Sequence, residues 1–180
     1  YQADAKPALS GLSRLAMELP SEAQHAELAA VLDLEAWGRF SAFETLAQTW
    51  HYDNSHNWRL FWDSNRGKIV PLVWDPMAFH DNWTFEADYS PEVIASHLHV
   101  ALFQNGEFLR ARQRAFAEFF RTGKDRAFFA TLDGVRAPLE RAVAMDPIRR
   151  PTSKPTILAA IEKTRNTARR IFEATRAEYL

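Results

Sequence analysis

Residues 58–74 narrow the folds open to this chain more than any other stretch. Trp58-Arg59-Leu60-Phe61-Trp62 is short and aromatic, and Asp63-Ser64-Asn65-Arg66-Gly67 is dense in turn formers. Lys68 to Trp74 is again strand-like, with Ile69, Val70, Leu72 and Val73. Together they read as one β-hairpin, and Pro71 implies an unpaired edge on its second strand. The rest of the chain reads as helix and loop. The expected class is therefore α+β, mostly helical, with one central hairpin and a long C-terminal helix.

The helices announce themselves by spacing and caps. Residues 1–20 carry mixed signals and end at Pro20. Ser21-Glu22-Ala23-Gln24 is a capping box that starts a helix to about Leu32. Leu34, Trp37, Phe40, Phe43 (or Ala47), Leu46 and Trp50 recur at steps of three and four, which predicts a buried helix with one continuous apolar face leading to His51. His51 to Asn57 reads as a polar loop, and Asp75 to Tyr89 as an irregular one. Ser90-Pro91-Glu92 predicts a helix start, with Ser as N-cap, for a helix to about Gln104. Further helices are expected over 107–121, ended by Gly123, and over 125–143, with a weak point near Gly134. After a Pro- and Arg-rich loop at 146–154, a last helix spans about 155–179, with Ile157, Leu158, Ile161, Ala168, Ile171 and Phe172 as its apolar positions.

A chain of 180 residues, 47% of them apolar, can bury a core of its own, so a single domain over 1–180 is expected. The formal net charge of −1 gives no general attraction to nucleic acid or to an anionic membrane. No stretch approaches the roughly 18 apolar residues of a membrane span. The absence of Cys excludes disulfides, thiolate chemistry and Cys-based zinc sites. The opening at Tyr1 without Met leads to the expectation that the chain is a piece of a longer protein.

The hairpin also brings chemistry together. Antiparallel strands joined by a tight turn set the start of the first beside the end of the second, here Asn57 and Asp75. Asp53 precedes Asn57 by four positions. Asn57 and Asp75 offer the hard oxygens that suit Mg²⁺, and Asp53 can orient or deprotonate a hydroxyl nucleophile. A catalytic-loop Asp, a following Asn, a short hairpin and a metal-binding Asp are the part list of phosphoryl transfer in protein kinases. His51-Tyr52-Asp53 sits where a kinase has His-Arg-Asp, and Trp74-Asp75-Pro76 where it has Asp-Phe-Gly. Three residues separate Asp53 from Asn57, against four in the kinase signature.

The run Trp58-Arg59-Leu60-Phe61-Trp62-Asp63, then Gly67-Lys68, then Val70-Pro71-Leu72-Val73-Trp74-Asp75 resembles the spore-coat-protein-H (CotH) kinase-like family, most strongly over Leu34 to Pro76. The resemblance implies a protein-kinase-like C-lobe and Mg²⁺- and ATP-dependent phosphorylation of protein hydroxyl groups. It implies Asp53 as catalytic base, Asn57 as an auxiliary metal or loop-fixing ligand, and Asp75 as the metal ligand. It implies a protein substrate or a cell-surface or coat protein as partner, and an extracytoplasmic, spore or cell-surface location. Met77 stands where the family has a second Asp, with Asp81 as a candidate replacement. The six Gly are scattered, and Lys6 is the only Lys before Lys68. The 180 residues are therefore expected to be the C-lobe and catalytic strip of a longer domain whose N-lobe is absent. The alternative is a catalytically impaired, pseudokinase-like binding or structural module.

His51, His80 and Asp81 are accessory candidates at the same site, and a metal-dependent hydrolase using His80 or His51 is a third option. His97 and His99 fall two apart on a predicted helix and so point to opposite sides. Trp50, Trp58, Trp62, Trp74 and Trp83 are read as core, with sugar or base stacking as the alternative. Arg149, Arg150, Lys154, Lys163, Arg165, Arg169 and Arg170 are read as a solvated face, with phosphate binding as the alternative.

Overall fold

The computed structural model describes residues 2–53, 57–77, 84–145 and 154–180. Among the described residues the elements run α1 (Gln2–Met17), α2 (Glu22–Val31), α3 (Leu34–Ala47), β1 (Arg59–Asp63), β2 (Lys68–Leu72), α4 (Phe85–Asp88), α5 (His97–Phe103), α6 (Gly106–Arg121), α7 (Lys124–Met145) and α8 (Lys154–Tyr179). They fall into two compact units, one of Tyr1–His80 with Ser90–Phe116, the other of Asp81–Tyr89 with Ala117–Leu180. The chain is mostly helical, with a two-stranded antiparallel sheet and a C-terminal helix.

In the first unit, Ser21 caps α2 by accepting the Gln24 N–H at 3.1 Å. The Gln24 side chain does not close the capping box. Its Nε2 donates instead to Leu15 O (2.7 Å) and Glu18 O (3.2 Å), carbonyls left open at the end of α1. Asp33 caps α3 through the Ala36 N–H (3.1 Å), and its own N–H donates to Ile69 O (3.2 Å) on β2. Trp37 Nε1 donates to the same carbonyl at 3.0 Å, which seats α3 on the hairpin. Leu12, Leu15, Leu28, Leu32, Trp37, Ile69, Leu102 and Phe108 form the buried cluster that α1, α2, α3, β2, α5 and α6 share. Gly38 allows α3 its closest approach to α6: a Cβ there would lie 2.6 Å from Arg112 N and 2.7 Å from Ala111 Cβ.

The hairpin pairs Arg59 with Leu72, Leu60 with Pro71, Phe61 with Val70, Trp62 with Ile69 and Asp63 with Lys68. Asp63 Oδ1 accepts the N–H groups of Asn65 and Arg66, and Gly67 takes the positive φ (63°) the turn requires. The alternation buries Ile69 and Pro71 and half-buries Leu60 and Trp62, while Phe61 and Leu72 face solvent.

In the second unit α7 packs on α8. Phe119, Phe120, Phe128 and Phe129 all lie within 6.5 Å (ring centroids) of Phe172. Arg170 of α8 sits over the Phe85 ring at 4.3 Å and bonds Glu86, while Arg176 pairs with Asp125.

Several local expectations are corrected. Residues 2–17 form a helix despite Pro7. The strands are Arg59–Asp63 and Lys68–Leu72, one residue later and two residues shorter than read. Helix α3 stops at Ala47 because Gln48 turns left-handed (φ 48°). Its buried side takes in Leu34, Trp37, Phe40 and Ala47 as expected, but also Ser41, Glu44 and Thr45, while Phe43 and Leu46 are only half-buried and Trp50 is exposed. No helix starts at Ser90. Gln48 grips that residue from both sides, its Nε2 donating to Ser90 O (2.8 Å) and its Oε1 accepting Ser90 N–H (2.9 Å). Thr45 and Arg112 donate to Pro91 O. The carbonyls needed for the first turn are thus taken, and α5 begins only after Ser96. Helix α7 passes Gly134 and Pro138 without a break. Trp58 and Trp62 pack against the core, but Trp50 and Trp74 are exposed; Trp83 lies outside the described residues. On α8, Arg165 pairs with Asp133 and Arg170 with Glu86, so this stretch is engaged within the chain rather than solvated throughout. Arg149 and Arg150 lie outside the described residues.

Candidate functional site

The strip begins where α3 releases the chain. Thr49 Oγ1 donates to Pro76 O, and the His51 N–H donates back to Thr49 Oγ1 at 3.4 Å. Tyr52 is fully buried, edge-on to Phe40 (4.9 Å) and near Trp58 (5.8 Å). Its hydroxyl accepts the Trp74 N–H at 3.2 Å. Residues 49–52 are in this way laced to 74–76. Burial pushes the Tyr52 phenol above 10.0, its hydrogen bond from Trp74 works against this, and the Glu44 and Asp75 carboxylates add to it. Tyr52 therefore keeps its proton at neutral pH and serves as an anchor.

His51 is the hub of the strip. Its Nδ1 lies 2.7 Å from Asp75 O and 3.9 Å from Asp75 Oδ2, and its Nε2 lies 2.6 Å from Asn57 Nδ2. An amide nitrogen only donates, so Nε2 accepts and Nδ1 carries the proton that goes to the Asp75 carbonyl. That bonding also fixes the Asn57 amide. With its nitrogen turned to the imidazole, its oxygen is the end left for other partners. The expected juxtaposition of Asn57 and Asp75 is thus made through a third side chain.

The backbone here is strained. The non-glycine residues with positive φ among the described ones are Gln48 (48°), Asn57 (65°), Asp75 (45°) and Met77 (40°). Asn and Asp tolerate this region, and Met does not; each costs on the order of 1 kcal/mol. Such strain gathers at functional sites when surrounding bonds over-determine it, and the bonds of Thr49, His51 and Tyr52 are of that kind. The Asp75 side chain is 59% exposed and that of His51 20%. Asp53 is half-buried in the segment that follows Tyr52. His80 and Asp81 lie outside the described residues. Among the described residues no group of three or more His, Asp or Glu is placed to hold a metal ion. No helix among them is long and apolar enough to cross a membrane.

A second polar cluster escaped the sequence reading. Glu44 and His99 are both 1% exposed or less, with His99 Nε2 at 3.0 Å from Glu44 Oε1 and 3.2 Å from Oε2. Ser96 Oγ lies 2.8 Å from His99 Nδ1 and accepts the His99 N–H at 3.2 Å as the N-cap of α5. Arg112 is buried as well, donates to Thr45 Oγ1 at 3.0 Å, and lies over the Phe103 and Phe116 rings. The available signal was a polar stripe on α3: Ser41, Glu44, Thr45 and Gln48 recur at helical spacing. His97 and His99 diverge as expected, one exposed and one buried.

Lys68, the first Lys after Lys6, is spent on structure: its Nζ donates to Ala29 O and Ala30 O at the end of α2. Comparison with protein-family models, curated proteins and solved structures finds no match for this chain.

Proposed function

We propose that residues 51–77 are the metal-binding end of a phosphotransfer site of the CotH kinase-like type, and that the chain supplies its kinase-like C-lobe. The observation that carries this reading is the His51 ring, which ties Asn57 to Asp75 and orients both. In this reading Asn57 Oδ1 and the Asp75 carboxylate hold Mg²⁺, and Asp53 takes the proton of the acceptor hydroxyl of a protein substrate. Two protein oxygens fit that ion, which keeps several waters and shares its sphere with substrate phosphates. ATP is the phosphoryl donor, and Mg²⁺ neutralises its developing charge when bound.

The experiment is a thermal shift with Mg²⁺ and ATP. At about 100 times Kd, binding stabilises the fold by about 2.7 kcal/mol. For a chain of this size that raises Tm by several degrees. The shift should vanish in Asp75→Asn, which keeps the shape and the tolerance of positive φ. No shift in the wild type overturns the reading.

A second reading, a kinase-like module without transfer activity, is favoured by Met77 at the family's second Asp and by the commitment of Lys68 to α2. Mg²⁺/ATP stabilisation without γ-phosphate transfer to a Ser-containing acceptor such as casein would select it.

A further inference from the structure

A cavity of about 360 Å³ lies within the first unit, lined by none of His51, Asp53, Asn57 or Asp75. Its size is at the lower end of small-molecule sites, which span roughly 300–1,000 Å³. Leu12, Ala16 and Met17 of α1 face Trp58, Leu60 and Leu98 across it. Ser13, Ser96 and His97 are the polar residues of the lining, which includes no Lys, Arg, Asp or Glu. An apolar molecule is therefore favoured, and a carboxylate or phosphate finds no Lys or Arg in the lining.

Ser96 sets the head group. A hydroxyl has one proton and two lone pairs. One lone pair of Ser96 accepts the His99 N–H, and a second bond joins Oγ to His99 Nδ1. If Nδ1 accepts in that bond, Ser96 keeps one lone pair; if Nδ1 donates, Ser96 keeps its O–H. Which holds depends on where the proton of the Glu44–His99 pair sits. An alcohol answers either state, since it both donates and accepts, whereas a carbonyl answers only one.

We propose that this cavity binds a small uncharged alcohol, its hydrocarbon chain between α1 and Trp58 and its hydroxyl on Ser96. The proposal is independent of the phosphotransfer reading.

Calorimetric titration of the whole chain with 1-butanol, 1-hexanol, 1-octanol and sodium octanoate tests it. Affinity should rise about fourfold per added methylene until the cavity is full. Octanoate should bind at least about tenfold more weakly than 1-octanol, because the lining offers its charge no Lys or Arg. Ala16→Trp fills the space and should abolish binding. Ser96→Asn keeps an N-cap but removes the hydroxyl, and should weaken 1-octanol by about five- to tenfold. Absence of 1-octanol binding to the wild type overturns the proposal, as does octanoate binding as tightly, or Ala16→Trp binding unchanged. Should a variant fail to fold, the alcohol series and the octanoate comparison on the wild type decide alone.

Discussion

The first unit holds two imidazoles in opposite circumstances. His99 is buried against a buried carboxylate, a capping serine and the Trp58 ring at 5.3 Å. Glu44 sits inside α3 and Ser96 is the extended N-cap of α5, both on backbone with ordinary negative φ. His51 is partly exposed, and its partners are an amide and a main-chain carbonyl on residues with positive φ. The first arrangement is what a core does with polar groups it cannot avoid: carboxylate, imidazole and hydroxyl bond one another. The second holds a strained loop end in one conformation while leaving its carboxylate in water. Both histidines are well bonded, so bonding does not set the two sites apart; burial and backbone strain do.

The comparison predicts unequal costs. Glu44→Ala removes the carboxylate that His99 Nε2 bonds and that the buried Arg112 charge faces, and should destabilise by about 3–5 kcal/mol in urea unfolding. A loss below about 1 kcal/mol would mean the buried cluster is not structural. The pair also has a pH signature. Burial raises the Glu44 carboxyl above its ordinary 4.5, with His99 and Arg112 pulling the other way. The folded state then holds the proton after the unfolded chain has lost it. The Glu44 contribution to stability is fully present below 4.5 and is lost as pH rises through the folded value. Glu44→Gln should remove this falling component, read as the difference in Tm between wild type and variant over about pH 4 to 8. An unchanged difference would place the carboxylate's ionisation outside the folding equilibrium.

What the sequence made legible follows the same division between local and distant bonds. The Ser21 cap, the Asp63–Gly67 turn and the Gly123 stop depend on neighbours a few residues away, and each stands as read. Ser90 was misread because its partner, Gln48, is 42 positions upstream. Glu44 and His99 are 55 apart, and a Glu on a helix that looks apolar gives no local hint of a buried mate. The nearness of Asn57 and Asp75 was visible, because a hairpin's ends meet by construction. The linking role of His51 was not, since it needs the chain to leave α3 in the direction that Gln48 and Thr49 dictate.

His51→Ala sharpens the other half of the comparison. It removes one bond to Asn57 and one to Asp75 at a partly solvated site, so about 1 kcal/mol of stability should be lost. The larger effect should be local: faster amide exchange over residues 74–77, and a weaker Mg²⁺/ATP response out of proportion to the stability change. If exchange there is unaltered, the strain is held by Thr49 and Tyr52 alone.

Met77→Gly should change least, and it tests whether strain at the strip is a cost the fold carries. Met77 is 55% exposed at φ 40°, so little packing is lost on removing its side chain. Relief of the left-handed conformation is worth about 1 kcal/mol in favour of the variant. The greater freedom of glycine in the unfolded chain takes back about 0.4–1 kcal/mol. The two nearly cancel, and the urea midpoint should move by the equivalent of less than about 0.5 kcal/mol. A β-branched residue meets the same backbone with no relief and a stiffer χ1, so Met77→Val should be destabilising where Met77→Gly is neutral. Equal midpoints for the two variants would mean that the loop relaxes freely at Met77, and that the hydrogen bonds of Thr49, His51 and Tyr52 do not impose its geometry.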